Sequence, residues 1–170
     1  MGKRRKFREF LSEFTSDPVP GPIINLDTGI LYSNQLHKGL SSYTRGQKVS
    51  LGGVKNKLYV ASKDSERNVL FVVDRLDHSS LWSNTLNIGK CEDFFNSFSL
   101  YSNIFCSIRS VDKIGVKVKS VVETSQGFTI ELSDRVFAPC QGQWAVFYAE
   151  NLECDSSDTG LICLGGSEII

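Results

Sequence analysis

The chain has 170 residues, 41% of them hydrophobic, and sets 19 Lys+Arg against 19 Asp+Glu, so its formal net charge at neutral pH is zero. That length allows one domain or two small ones, and no run approaches the ~20 apolar residues of a membrane-spanning helix, which excludes that class and points to a soluble protein. Five cysteines, odd in number and without a Cys-x-x-Cys pair, exclude a disulfide framework and a zinc site of the usual spacing; with no signal peptide they point to free thiols in a reducing intracellular compartment.

In chain order, Phe7, Phe10, Leu11 and Phe14 fall at i, i+3, i+4 and i+7, the spacing of a short amphipathic helix, which Asp17-Pro18-Val19-Pro20-Gly21-Pro22 ends. Ile23 to Gly39 reads as a hairpin turned at Asp27-Thr28-Gly29. Ser50-Leu51-Gly52-Gly53-Val54-Lys55 lacks the Gly-Lys-Ser ending of a phosphate loop and no helix pattern follows it, so it reads as a turn. Lys57 to Ser62 and Val69 to Val73 are rich in β-branched and aromatic residues and flank the charged turn Lys63-Asp64-Ser65-Glu66-Arg67-Asn68, which predicts a second hairpin. From Asp74 to Gly89 polar residues interrupt the strand pattern, as a linker would. Asp77-His78-Ser79 lies here, but adjacent residues do not make a hydrolase triad, which needs side chains converging from separate segments. Tyr101 to Arg109, Gly115 to Glu123, Phe128 to Leu132, Gln143 to Ala149 and Leu161 to Leu164 then read as five short strands, enough for a small barrel.

Charge is balanced globally but unevenly spread. Lys3, Arg4, Arg5, Lys6 and Arg8 crowd the N-terminus, Arg45, Lys48, Lys55, Lys57 and Lys63 follow, and Arg109, Lys113, Lys117 and Lys119 form a third group, while Glu150, Glu153, Asp155 and Asp158 gather near the end. A two-faced molecule of this kind can bind phosphate at zero net charge; ordinary solvated faces are the competing reading. His37 has no second ligand at metal spacing, which favours a structural role. Cys106 and Cys163 sit in apolar strand patterns and read as small buried hydrophobes. Cys140, in a Pro-Cys-Gln-Gly turn, reads as exposed, without the base or activating charge a nucleophile needs.

Several motifs resemble one family. Tyr43-Thr44-Arg45-Gly46-Gln47-Lys48, then Gly52-Gly53, then Lys63-Asp64-Ser65-Glu66-Arg67-Asn68-Val69-Leu70, are similar in order and spacing to the centre of the tRNA-specific 2-thiouridylases. Gly2 to Leu11, His37-Lys38-Gly39, Gly142-Gln143 with Ala145-Val146-Phe147-Tyr148, and Cys163-Leu164-Gly165-Gly166 extend the resemblance over nearly the whole chain. It implies a mainly β fold: a short N-terminal helix and a small central β domain over residues 1–76, a linker over 77–97, and a C-terminal β-barrel over 98–170 resembling those of elongation factors. It also implies tRNA as partner. Arg109-Ser110 would match a family Arg-Tyr pair and Gln143 a family glutamine, both placed against tRNA, with Lys3, Arg4, Arg5 and Lys48 as further RNA contacts. Tyr43, Thr44, Gly46, Gln47, Lys63, Asp64, Arg67 and Asn68 are the central family-motif positions. Ser110 stands where tyrosine is usual, removing a stacking ring, and Lys48 replaces an arginine and its bidentate geometry. For Gln143 a turn role satisfying backbone groups stands beside the RNA contact.

The resemblance further implies that ATP, Mg²⁺ and the catalytic cysteines belong to an ATP-pyrophosphatase domain outside this chain, which would carry no cofactor or metal of its own. A sulfur-donor protein would act through the full enzyme, with no membrane involved and the chain a monomer. The expected function is the tRNA-binding portion of an enzyme that thiolates the wobble uridine; a stand-alone, non-catalytic RNA-binding module and an unrelated β-barrel interaction domain are the alternatives.

Overall fold

The computed structural model describes residues 19–90, 98, 100, 101, 103–109, 115–150 and 160–170. The expected helix at Phe7–Phe14, the basic residues Lys3, Arg4 and Arg5, Ser110 and the acidic stretch before Gly160 lie outside the described residues. The elements the described residues form are strands and two short 3₁₀ turns, in keeping with the mainly β composition, and the chain divides into two units, Met1–Leu81 and Trp82–Ile170.

The first unit is a five-stranded sheet in the order β2-β1-β5-β4-β3, built from β1 (Gly21–Asn25), β2 (Leu31–His37), β3 (Lys48–Val49), β4 (Leu58–Asp64) and β5 (Val69–Val73). Both expected hairpins form. β1 and β2 are joined through a turn in which the Asn25 Oδ1 accepts the backbone N–H groups of Asp27 and Thr28, each at 3.0 Å. Asn68 closes the β4–β5 turn at φ 53°, a left-handed conformation that asparagine tolerates. β5 runs parallel to β1 and antiparallel to β4. This central position explains its unbroken apolar run, since a strand covered on both faces has no polar face to show. Ile23, Val49, Leu58, Val60, Leu70 and Val72 form the core. At the sheet's edge, Gln35 clamps the turn after β3, donating Nε2–H to the Gly52 carbonyl at 2.5 Å and accepting the Gly52 N–H at 2.9 Å.

The second unit is a six-stranded sheet in the order β11-β10-β7-β8-β9-β6. Its strands are β6 (Trp82–Gly89), β7 (Ile104–Ser107), β8 (Val116–Glu123), β9 (Gly127–Phe137), β10 (Trp144–Glu150) and β11 (Leu161–Glu168). The two end strands meet: Ile88 bridges Ile169, and the Ser167 hydroxyl donates to the Gly89 carbonyl at 3.0 Å, so the sheet curls round on itself as a barrel does. Its core includes Leu86, Ile88, Cys106, Ile130, Leu132, Ala145 and Phe147.

β6 lies in the stretch read as linker. Only Leu86 and Ile88 of this strand are buried, and a register shift between Ser83 and Thr85, where the Ser83 hydroxyl binds the Thr85 backbone, breaks the alternation. A polar strand with a bulge carries little of the period-two signal.

Candidate nucleic-acid interface

The central motif folds into one self-satisfied knot in the first unit. The Lys63 Nζ donates to the carbonyl oxygens of Tyr43 at 3.1 Å and Leu40 at 3.5 Å, joining the motif's two halves. Asp64 accepts the Arg67 N–H at 2.9 Å, with the Arg67 Nε 3.8 Å from its other oxygen. The Asn68 side-chain amide holds the carbonyls of Val19 and Pro20. His37, fully buried, accepts the Gly39 N–H on Nδ1 at 3.2 Å, so Nε2 carries the proton and donates to the Asn68 carbonyl at 3.0 Å. Tyr43 packs edge-on against that imidazole. Lys48 is exposed on β3. Arg45, one of the basic group, packs its guanidinium onto the Ser80 carbonyl.

Thr44, Gly46 and Gln47 build a turn that the second unit repeats. In Thr44–Gln47 the Gln47 N–H donates to the Thr44 carbonyl and its Oε1 accepts the Thr44 N–H, both at 3.0 Å, with Gly46 at φ 80°. In Cys140–Gln143 the Gln143 N–H donates to the Cys140 carbonyl at 3.1 Å and its Oε1 accepts the Cys140 N–H at 3.0 Å, with Gly142 at φ 85°. Each turn docks on its sheet alike: the glycine N–H donates to Val60 or Ile169, whose own N–H donates back to the glutamine carbonyl. The positive φ is what requires glycine here. Gln143 therefore does perform the turn role, through Oε1, while among the described residues no acceptor takes its Nε2.

Arg109 and Gln143, distant in sequence, line one cleft of about 340 Å³ with Ser107, Ile108, Trp144, Val146 and Tyr148. Arg109 is positioned rather than loose. Its Nη2 donates to the Phe137 carbonyl at 3.0 Å, its guanidinium lies 5.2 Å from the Phe137 ring centroid, and Trp82 packs edge-on against that same ring. Among the described residues no acceptor takes Nε or Nη1, so part of the fork remains for an anion. Sequence reasoning missed Trp144 and Tyr148. The available signal was the i, i+2, i+4 spacing of Trp144, Val146 and Tyr148, which puts all three on one strand face.

The cysteines divide differently from expectation. Cys106 is buried and burial pushes its thiol up to about 12, which removes it as a nucleophile at neutral pH. Cys163 is exposed, a correction to its expected burial: it sits on β11 opposite Tyr148, next to a register shift. Cys140 is half-buried rather than exposed, its Sγ donating to the Ala138 carbonyl at 3.3 Å. His78 does meet one partner from a separate segment, with Nε2 2.8 Å from Asp27 Oδ1, while its Nδ1 lies 2.7 Å from the Ser80 hydroxyl in its own turn. The Nδ1 also accepts the Ser80 N–H at 3.1 Å, so the imidazole caps the 3₁₀ turn Ser79–Leu81 and ties it to the first hairpin. In the glycine turn the Gly52 N–H is taken by Gln35, and among the described residues no three His, Cys, Asp or Glu side chains converge as metal ligands.

Fold and cleft define a protein of two small β units, each carrying the same Gly-Gln turn. Residues 8–74 match the family model described as the tRNA methyl transferase PRC-barrel domain. The chain is 31% identical over 169 residues to the tRNA-specific 2-thiouridylase MnmA of Chlamydia trachomatis serovar L2, covering 98% of this chain and 43% of that protein. To the enzyme of the same name from Alkaliphilus oremlandii it is 34% identical, over 97% and 43% of the two chains. To the human mitochondrial tRNA-specific 2-thiouridylase 1 it is 28% identical, over 98% and 38%. The family model's description speaks of methyl transfer and the relatives' names of thiolation; the relatives match almost the full chain and so weigh more. The chain belongs to the tRNA-specific 2-thiouridylase family, matching its central and C-terminal domains. It spans less than half the length of these relatives, which are bacterial and mitochondrial, and among the described residues no helix is long and apolar enough to cross a membrane.

Proposed function

We propose that this chain is the tRNA-binding portion of an enzyme that exchanges the 2-oxygen of a wobble uridine for sulfur. Activation of that oxygen with ATP and Mg²⁺, and delivery of sulfur from a donor protein, would fall to a catalytic domain outside these residues. The observation that supports the reading best is the convergence of Arg109 and Gln143 on one cleft, two donor-bearing side chains from separate segments with capacity left over. A guanidinium fork suits a phosphate and a carboxamide N–H suits a base edge or sugar oxygen.

Fluorescence anisotropy of the purified chain with an unmodified tRNA bearing a wobble uridine, over a salt series, tests this. With about three phosphate contacts, log K falls with log salt at a slope of about −2 to −3, and Arg109→Ala weakens binding and flattens the slope by about 1. Gln143→Glu keeps the acceptor that the Cys140 N–H needs but loses the amide donor, so it weakens binding without unfolding the turn. Binding that Arg109→Ala and Gln143→Glu leave unchanged refutes the cleft as the site. Tight, salt-sensitive binding by this chain alone would favour the stand-alone RNA-binding module among the alternatives.

A further inference from the structure

We infer that the outer face of β7 and β10 holds a stacking site for an unpaired nucleotide, with the Trp144 indole taking the base and Arg109 the adjoining phosphate. This rests on the RNA-binding reading of the same cleft and names what enters it. Along β10 the core side is Ala145, Phe147 and Ala149, all buried, while Trp144, Val146 and Tyr148 face outward. β7 continues that outward face, since Ser107 pairs with Val146 and half-buried Phe105 with Tyr148. On the other side Val146 pairs with Gly166, which brings no side chain, so nothing from that position of β11 covers the face. Trp144 is left 61% exposed, an indole at the mouth of a cleft that also holds a guanidinium. Its volume of about 340 Å³ lies at the lower end of small-ligand clefts.

The polar groups favour a nucleotide over a protein side. Arg109 and the Gln143 amide offer donors with no described acceptor, and Lys117, paired with Phe105, adds a cation on the same side while donating to Asn103 Oδ1 at 2.8 Å. Such a donor set wants an acceptor-rich, anionic partner. Two carboxylates bound it: Glu168 stands opposite Trp144, and Glu150, held by the Asn103 amide at 2.7 Å, closes the far end. They confine a phosphate to the Arg109 and β7 side and leave the indole for an uncharged base. Base–aromatic stacking is sequence-tolerant, so the site selects single-stranded over paired RNA and not one base.

The chain has two tryptophans, so Trp82→Phe leaves Trp144 as the sole indole reporter. Titrating that chain with an RNA stem-loop, and with a blunt RNA duplex as control, is expected to quench Trp144 emission for the stem-loop only. Trp144→Ala should weaken stem-loop affinity about fivefold to a hundredfold, and Trp144→Phe should retain most of it. Unchanged stem-loop affinity in Trp144→Ala, with Arg109→Ala still weakening it, overturns the stacking site, leaves the RNA-binding reading standing and frees this face for protein contact. Absence of stem-loop binding by any form overturns both.

Discussion

Cys106 and Cys163 show how the same side chain diverges once burial is fixed. Cys106 lies on β7 in the core, and Cys163 on an exposed point of β11. Iodoacetamide at pH 8, read by peptide mass spectrometry of the native chain, should label Cys163 and spare Cys106; equal labelling would contradict the burial. Linkage adds a second outcome. Burial raises the folded-state value of Cys106 from 9.0 to about 12, so the unfolded chain loses this proton first. The stability tied to the protonated thiol is complete below about pH 9 and declines as pH rises from there towards 12. In Cys106→Ala that decline should be shallower, measured by urea unfolding at a series of alkaline pH values. Gln143 gives one side-chain atom to the turn and leaves the other uncommitted among the described residues, and for this reason the sequence left its role open: the Gly-Gln dipeptide announces the turn, while only the fold shows which atom the turn consumes.

At the scale of elements, the central motif's residues mostly hold one another. Lys63 and Asn68 each satisfy carbonyls on other segments, and His37 ties β2 to the β4–β5 turn. The approach at β1 is close enough to demand glycine: a Cβ on Gly21 would lie 2.2 Å from the Asn68 carbonyl oxygen and 2.6 Å from His37 Nε2. Gly21→Ala should therefore destabilise the first unit by about 1–3 kcal/mol, the range of overpacking. Asn68→Ala should cost about 1–2 kcal/mol through left-handed strain and two lost acceptor contacts, with Asn68→Gly milder because glycine accepts that φ. Urea midpoints check both, and an unchanged midpoint in Gly21→Ala would contradict the packing. The two hairpins were legible because VLFVV and the Asp-Thr-Gly turn are strong local signals. β6 was not, because its two buried residues and its bulge leave no period to read. Trp144 was overlooked for a related reason: the cleft beside it is assembled from β7 and β10, a fact of register that no local pattern contains.

For the whole molecule, zero net charge conceals a division of labour. The first unit spends much of its polar inventory internally, as Lys63, Arg45 and Asn68 show, whereas the second leaves donors of Arg109 and Gln143 without described acceptors beside an exposed indole. On the function proposed, tRNA meets this chain at that cleft. Hydroxyl-radical footprinting of the chain with and without unmodified tRNA, read residue by residue by mass spectrometry, tests it most directly. Trp144 and Tyr148 should oxidise several-fold more slowly in the complex than in the free chain. Oxidation of both at the free-chain rate while tRNA is bound would contradict the claim.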